Sequence, residues 1–265
     1  MDELVIGMDL CDTYTKVCCG EEEQSWTVPT VICKKKQTDE WYVGKEAYGL
    51  VLTGTGIMVD KLISLVMKDG TATIEGVKYG AAQLLEKFLE RVLRLPKEEY
   101  GQEGIAQLTV SLPRAEGRLM DVLLTCADGL RLSRQRLHVI SHTESFVYYV
   151  MSQKKEIWAT QVGLFDLSDE GLSYHELKVQ RGMKRTVVQA EGQEMEESFN
   201  LDILENAAGG KMADRILCSC GERLLQKKLY SAVFLTGKGF DNLDWADGFR
   251  KLICSKRRVY GEADL

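Results

Sequence analysis

The sequence predicts an α/β protein made of two units, each with a mixed β-sheet and flanking helices. Short apolar strand patterns alternate with amphipathic helix patterns along the chain, which is typical of this class. The second half repeats the element order of the first, with three strands followed by a helix, a strand and a helix. We therefore place the first unit at residues 1–156 and the second at residues 157–265.

Each unit also begins with a similar hairpin. Residues 4–17 (LVIGMDLCDTYTKV) and residues 162–177 (VGLFDLSDEGLSYHEL) both contain an apolar strand that ends in Asp-Leu. A tight turn and a returning strand follow in each case. Two such turns in one chain are the kind of feature that binds a phosphate tail together with a metal ion.

The remaining elements of the first unit follow from apolar periodicity. Residues 80–95 predict an amphipathic helix, because their apolar side chains recur at helical spacing. Further helices are predicted at 114–127 and 143–153. Residues 57–66 are apolar around a single lysine and receive no assignment. The predicted strands are 4–8, 13–19, 25–33 with an interruption at Pro29, 41–44, 73–78, 105–112 and 137–140.

The second unit is predicted to start with three consecutive strands. These lie at 162–166, 172–180 and 184–190. Residues 196–228 are helical with a break at the glycine pair 209–210. A buried strand at 232–236 and a helix at 245–254 complete this unit.

Composition excludes several classes of partner. The chain has 265 residues, of which 45% are hydrophobic and 28% charged, as in globular proteins. Its net charge of -6 argues against a nucleic-acid partner. Since no run approaches the roughly 18 apolar residues of a membrane helix, we expect no membrane partner. The acidic start lacks a secretory signal pattern, so we expect a cytoplasmic protein.

The eight cysteines are predicted to be reduced and structural. They form no C-x-x-C pair and have no histidine at zinc-finger spacing. The close pair Cys218 and Cys220 lies on a predicted helix, where the two side chains point about 200° apart. This pattern favours core packing over a metal site.

The joint order of these segments resembles the actin, heat-shock chaperone and sugar-kinase superfamily of ATPases. The resemblance implies a two-lobed actin-like fold, in which a ribonuclease H-like unit is duplicated. Compared with the superfamily, we expect two departures: the second lobe lacks or nearly lacks an added subdomain, and the chain is shortened at its carboxyl end. The segments that carry the resemblance are 4–17 (phosphate-1 hairpin), 59–63 (VDKLI, a lysine-bearing stretch), 108–113 (LTVSLP), 139–151 (connecting helix), 165–177 (phosphate-2 hairpin) and 233–242 (VFLTGKGFDN, adenosine turn).

The resemblance implies roles for individual residues. Asp9 and Asp166 match the two aspartates on the metal side, and Lys61 matches the lysine that reaches the γ-phosphate. His142 and Glu144 stand where a catalytic glutamate or glutamine is expected. His142 either orients water or is a structural histidine at a helix N-terminus. The implied nucleotide-binding residues are Asp9, Leu10, Cys11, Asp12, Thr13, Tyr14, Lys16, Asp166, Ser168, Asp169, Gly171, Gly237 and Gly239.

Two turns depart from the pattern of the superfamily. Cys11 and Asp12 replace glycine in the first turn, and Ser168-Asp169-Glu170 replaces a glycine-rich second turn. The added side chains restrict the approach of phosphate to the backbone. A like-charge contact at about 4 Å also costs roughly 1 kcal/mol in water and several times more where it is partly buried.

These departures shape three functional hypotheses. The first is a divergent nucleotide-binding domain that binds ATP or ADP weakly or not at all, with little or no hydrolysis. The second is a non-catalytic scaffold of the same fold with a protein partner. The third is a small-molecule kinase with Asp169 as its base. The expected cofactor is accordingly ATP or ADP with Mg²⁺, or there is none. Gly237 and Gly239 either allow adenosine to approach the backbone or simply form a turn after a buried strand. The sequence favours a protein that is not an enzyme.

Overall fold

The chain divides into two compact units, Met1–His142 and Thr143–Leu265. A computed structural model describes residues 3–19, 24–168, 171–182, 186–196, 201–206, 212–225, 230–253 and 258–260. The contact-based division falls after His142, and the predicted division after residue 156 stays a prediction.

Unit 1 is built around a mixed five-stranded sheet. Its strands are β1 (Leu4–Leu10), β2 (Tyr14–Cys19), β3 (Gln24–Pro29), β4 (Ile32–Lys35), β5 (Trp41–Val43), β6 (Gly56–Val59), β7 (Thr71–Ile74), β8 (Val77–Gly80), β9 (Ile105–Leu112) and β10 (Leu137–Ser141). Its helices are α1 (Gly44–Leu52), α2 (Leu62–Met67), α3 (Ala81–Val92), α4 (Arg94–Tyr100) and α5 (Gly117–Gly129).

The main sheet of unit 1 has the order β10-β9-β1-β2-β3. β1, β2 and β3 form an antiparallel meander, whereas β9 and β10 run parallel to β1. α5 connects the parallel strands β9 and β10, as such a crossover requires. If the five strands of this sheet are renumbered from 1 to 5 in chain order, their order across the sheet from β3 to β10 is 3-2-1-4-5.

Unit 2 repeats this order. Its strands are β11 (Gln161–Ser168), β12 (Gly171–Arg181), β13 (Thr186–Glu196), β14 (Tyr230–Thr236) and β15 (Arg258–Tyr260). Its helices are α6 (His142–Ser152), which begins at the last residue of unit 1, α7 (Leu201–Asn206), α8 (Ala213–Leu225) and α9 (Leu243–Ile253). The sheet runs β13-β12-β11-β14-β15, with β11–β13 antiparallel and β14 and β15 parallel to β11. The chain is therefore an α/β protein, as predicted.

Strand alternation places the core of unit 1 on one face of β1. Every second side chain of this strand, from Leu4 to Leu10, is buried, whereas Val5 on the other face is 61% exposed. The buried face packs in one cluster with the apolar side of α3, which includes Leu84 and Phe88. The predicted amphipathic helix is confirmed over most of its length.

Unit 2 buries both faces of β11. Phe165 and Leu167 pack with the cluster that includes Leu217 of α8 and Phe249 of α9. Val162 and Leu164, on the other face, pack in a cluster with α6. A strand that is buried on both faces has apolar residues at consecutive positions, and this explains the uninterrupted apolar run at the start of the second hairpin.

Several predicted elements of unit 1 differ in the structure. Residues 25–33 are two strands, β3 and β4, which belong to different sheets. β3 ends at Pro29, the N–H of Thr30 donates a last hydrogen bond to the carbonyl of Thr13, and the chain then enters β4 at Ile32. Residues 73–78 belong to the hairpin β7–β8, and residues 57–66 divide into β6 and α2. The helix α1 was not predicted.

The second unit differs less. Residue 196 ends β13 instead of starting a helix, and β15 was not predicted. The predicted break at residues 209–210 lies outside the described residues. In the part of the chain that the structure describes, no helix is long and apolar enough to cross a membrane.

The core of unit 1 gives a matched stability test. Leu85 in α3 is fully buried, whereas Leu52 at the end of α1 is 88% exposed. We expect Leu85→Ala to lower the free energy of unfolding by about 2–5 kcal/mol. Leu52→Ala should change it by less than about 0.5 kcal/mol. Urea denaturation followed by circular dichroism measures both, and equal losses would contradict this core assignment.

Candidate functional site

The first hairpin fixes Asp9 near the carboxyl end of β1. In the sheet register Asp9 pairs with Lys16 of β2 on one side and with Ser111 of β9 on the other. Paired residues point to the same face, so Lys16 lies on the Asp9 side of the sheet. Leu10, the next residue, points to the opposite face and is fully buried. Leu10 is therefore a core residue in this structure.

The turn of this hairpin is closed by backbone hydrogen bonds. The N–H of Cys11 donates to the carbonyl of Tyr14 at 3.1 Å. The carbonyl of the exposed Thr13 accepts from the N–H of Thr30 at 3.0 Å. Both ends of the turn are thus held in place.

Asp12 caps a helix that is distant in sequence. Its Oδ1 accepts from the backbone N–H of Ile63 at 2.8 Å and of Ser64 at 3.0 Å. Oδ2 accepts from the hydroxyl of Ser64. These donors belong to the first turn of α2, where a carboxylate is favoured. The Asp12 carboxylate is therefore engaged in a structural contact, and its predicted nucleotide role stays a prediction.

Lys61 stands at the N-cap position of the same helix. Its backbone is left-handed, with φ 50° and ψ 47°, and its side chain gives no capping hydrogen bond. The residue is exposed. An N-cap lysine leaves the helix start without its usual oxygen acceptor, which explains why Asp12 is needed there.

His142 comes to Asp9 through sheet topology. β1, β9 and β10 are parallel, so their carboxyl ends lie at one edge, and His142 directly follows β10. The His142 Nε2 lies 2.7 Å from the Asp9 Oδ1. The Cys11 Sγ lies 3.7 Å from the same oxygen. One atom from each of the three side chains thus falls within 4.8 Å of the other two.

Glu144 belongs to unit 2 and is exposed on α6. Its Oε1 accepts from the Tyr148 hydroxyl, one turn along the helix, at 3.4 Å. His175, for which no role is predicted, is 2% exposed. Its Nδ1 lies 2.8 Å from the Thr143 hydroxyl and its Nε2 lies 3.3 Å from the Ser173 hydroxyl. Two hydroxyls therefore satisfy this buried ring.

Asp166 occupies the position in unit 2 that Asp9 occupies in unit 1. It pairs with Ser173 of the antiparallel neighbour and with Thr236 of the parallel neighbour. Unlike Asp9, it is buried, with 4% exposure. Ser168 pairs with Gly171 at the hairpin end. Asp169 lies outside the described residues.

Two glycines of the predicted adenosine turn have packing reasons of their own. Gly237 has φ 92° and ψ 154°, a region that is almost restricted to glycine. A Cβ there would overlap the Asp166 carboxylate and lie 2.5 Å from the Leu167 carbonyl oxygen. A Cβ on Gly239 would overlap Leu167. Both glycines are thus required by close contact with β11, and their predicted adenosine role stays a prediction.

A buried polar cluster in unit 2 was not predicted from the sequence. Glu176 is 2% exposed, and its Oε2 accepts from the hydroxyls of Tyr174 at 3.2 Å and Tyr230 at 3.3 Å. Its Oε1 lies 3.5 Å from the Lys178 Nζ. Burial is the largest cause that raises the pKa of the Tyr174 hydroxyl, and the hydrogen bond with Tyr230 is the second. The hydroxyl therefore stays protonated as a donor. Tyr174, Glu176 and Lys178 are alternate residues of β12, whereas only the tertiary structure brings Tyr230 of β14 to them.

The cysteines differ in environment. Burial raises the pKa of the Cys126 thiol to about 12, as expected for a structural cysteine. Burial also raises the pKa of Cys33, Cys218 and Cys220. Cys11, by contrast, has a carboxylate and an imidazole beside it. Cys11 is itself buried, with 3% exposure, and its predicted structural role stays a prediction.

The cap of α2 can be tested by substitution. We expect Asp12→Ala to lower the free energy of unfolding by about 1 kcal/mol and to speed amide exchange in α2 about fivefold. Asp12→Asn keeps an oxygen acceptor and should retain most of the stability. Asp121→Ala, at an exposed position of α5, is the control. Unchanged exchange in the Asp12→Ala protein would contradict the capping assignment.

The requirement for glycine at position 237 can be tested by substitution, with a less constrained glycine as the control. Gly54 also has a positive φ of 71°, but a Cβ there would meet nothing within 4 Å. We expect Gly54→Ala to cost about 1 kcal/mol of unfolding free energy from strain alone. Gly237→Ala should cost clearly more, because β11 must also move. Equal losses in urea denaturation would show that the close contact is unimportant.

Comparison with known protein families gives one match. Residues 13–265 match the family described as family of unknown function (DUF5716), C-terminal. No curated protein matches the chain. Because the matched residues make up nearly the whole chain, the chain belongs to the DUF5716 family, through that family's C-terminal region.

Proposed function

We propose that this chain is an actin-like nucleotide-binding domain with little or no hydrolytic activity. The observation that carries the proposal is the shared 3-2-1-4-5 order of the two five-stranded sheets. Three antiparallel strands followed by two parallel ones is the arrangement of a ribonuclease H-like unit. Its duplication is what the two-lobed actin-like fold requires.

The matched aspartates support the proposal further. Asp9 and Asp166 lie in the first strand of their sheets, and each pairs with a hydroxyl residue, Ser111 or Thr236, on the fourth strand. A hairpin turn follows each of them. Under the resemblance, these turns are the phosphate-binding segments.

Cations for a phosphate group are present in unit 1. Lys16 shares a sheet face with Asp9, and the exposed Lys61 precedes α2. A lysine is a suitable phosphate partner because its ammonium acts as a compact point charge. These two side chains are the ones that we assign to nucleotide phosphates.

The surroundings of the aspartates do not fit the Mg²⁺ ion of an active ATPase. Mg²⁺ prefers an octahedral set of oxygen ligands. The Asp9 Oδ1 instead contacts His142 and the Cys11 thiol, and Asp166 is buried against Gly237. The Asp12 carboxylate is already engaged by α2. We therefore derive no hydrolytic step through Mg²⁺.

The same contacts favour a second candidate, a non-catalytic scaffold that binds a protein partner. The carboxylates of Asp9, Asp12 and Asp166, which a nucleotide site would use, already contact other residues of the protein. If nucleotide fails to bind, this candidate replaces the first. The kinase hypothesis has no such support, because its proposed base Asp169 lies outside the described residues.

Calorimetric titration with ATP and ADP tests the proposal. We expect weak binding with or without Mg²⁺, and phosphate release no faster than in buffer. Lys16→Met should weaken binding about fivefold or more, because one charge contact with phosphate is lost. Lys78→Met, an exposed lysine of β8, should leave the affinity unchanged.

Two results would contradict the proposal. The absence of heat and of a thermal shift up to millimolar nucleotide removes nucleotide binding and leaves the scaffold. ATP turnover that Lys16→Met abolishes would show an active ATPase.

A further inference from the structure

We propose that Asp9, Cys11 and His142 form a binding site for a transition-metal ion of the Zn²⁺ type. The proposal goes beyond nucleotide binding and does not require it, because all three ligands come from the side chains of unit 1. Among the residues that the structure describes, this is the one group of metal-ligating side chains with such spacing.

The donor atoms lie close to the separations that a bound ion needs. With ordinary Zn²⁺ bond lengths, a tetrahedral ion places its oxygen and nitrogen ligands about 3.4 Å apart and its sulfur and oxygen ligands about 3.6 Å apart. The observed distances from the Asp9 Oδ1 are 2.7 Å to the His142 Nε2 and 3.7 Å to the Cys11 Sγ. An increase of about 0.7 Å would bring the Asp9 and His142 atoms to the separation of zinc ligands, and the Cys11 Sγ and the His142 Nε2 lie within 4.8 Å of each other.

Backbone structure holds two of the ligands in place. Asp9 is fixed by pairing on both sides of β1, and the N–H of Cys11 is bonded to the Tyr14 carbonyl. His142 directly follows β10, whose pairing with β9 is continuous up to Ser141. The paired strands therefore bring all three ligands to one edge of the sheet.

The burial of the group fits a metal centre with access from solvent. The Cys11 residue is 3% exposed, and the His142 side chain is 13% exposed. The Asp9 side chain is 32% exposed and forms the open side. Burial of the sulfur and the imidazole protects their bonds to the ion, while the carboxylate gives the ion a route of entry.

The chemistry of the donors selects the ion. A thiolate, an imidazole and a carboxylate together suit Zn²⁺, whereas Mg²⁺ and Ca²⁺ prefer oxygen alone. Three protein ligands leave a fourth tetrahedral position for water or another ligand. We expect one ion per chain, with an affinity for Zn²⁺ far above that for Mg²⁺.

Co²⁺ serves as a visible probe of this site in the full, metal-free chain without nucleotide. We expect one equivalent of Co²⁺ to give the ligand-field bands of a tetrahedral ion and a thiolate-to-cobalt charge-transfer band. Zn²⁺ should remove both, and excess Mg²⁺ should not. Absence of the charge-transfer band, or displacement by Mg²⁺, overturns the proposal.

Matched cysteine variants assign the sulfur ligand. Cys11→Ser should abolish the charge-transfer band and weaken Zn²⁺ binding at least about tenfold. Cys18→Ser removes an exposed thiol of the neighbouring strand β2 and should change neither. His142→Asn should weaken binding while the thiolate band remains. A band that survives in Cys11→Ser overturns the assignment.

A measurement on the unsubstituted chain covers the case in which Cys11→Ser fails to fold. Alkylation followed by peptide mass spectrometry reports each thiol separately. Zn²⁺ should slow the alkylation of Cys11 and leave that of Cys18 unchanged. Equal rates for Cys11 with and without Zn²⁺ overturn the proposal. Because no nucleotide is present, neither result bears on the nucleotide-binding proposal.

Discussion

The two-sided pairing of β1 is the constraint on which unit 1 depends. This strand bonds an antiparallel neighbour, β2, and a parallel neighbour, β9, so its register is fixed from both edges. Because side chains alternate, the same register buries Leu4, Ile6, Met8 and Leu10 and turns Asp9 to the other face. A shift by one residue would exchange the two sets. Core and candidate site therefore share one hydrogen-bond pattern.

Unit 2 uses the same pattern with a different outcome. β11 holds Asp166 between Ser173 and Thr236, yet both faces of that strand are covered by apolar clusters. Asp166 is therefore almost fully buried, while the Asp9 side chain stays about one-third exposed. Equivalent positions of the two sheets have thus acquired different chemical environments. The partly exposed carboxylate of Asp9 in unit 1 is accessible to a ligand. The buried carboxylate of Asp166 in unit 2 instead packs against Gly237, in the turn that follows β14.

Sequence patterns were sufficient where a single periodicity dominates. The strand at 105–112 is found with those bounds, and both Asp-Leu hairpins form as predicted. The patterns failed where tertiary pairing decides, as at residues 25–33, where one apolar run supplies strands to two sheets. α1 was missed because it starts at a glycine, Gly44, with a φ of 57°.

In the candidate site, too, local sequence patterns predict some features and tertiary pairing decides the others. Asp9 stands out in the sequence because it lies near the end of an apolar strand that is followed by a turn. Cys11 and His142 were assigned to a site only through a resemblance, and the contact of His142 with Asp9 depends on the parallel pairing of β9 and β10. The contact between Asp12 and α2 spans 51 positions along the chain, and no local pattern contains it. Contacts of this kind are visible only after the chain has folded.

The cap that Asp12 supplies has a consequence for cooperativity within unit 1. α2 has six residues, too few to be stable as an isolated helix. Its order therefore depends on the packing of Leu62 and Val66 in the core of unit 1 and on the Asp12 cap from the β1–β2 turn, and the helix anchors that turn in return. A ligand that pulled the Asp12 carboxylate away would have to leave the first turn of α2 without its cap, which costs about 1 kcal/mol. A ligand that leaves Asp12 in place meets a turn that is already rigid, and so loses little conformational entropy on binding.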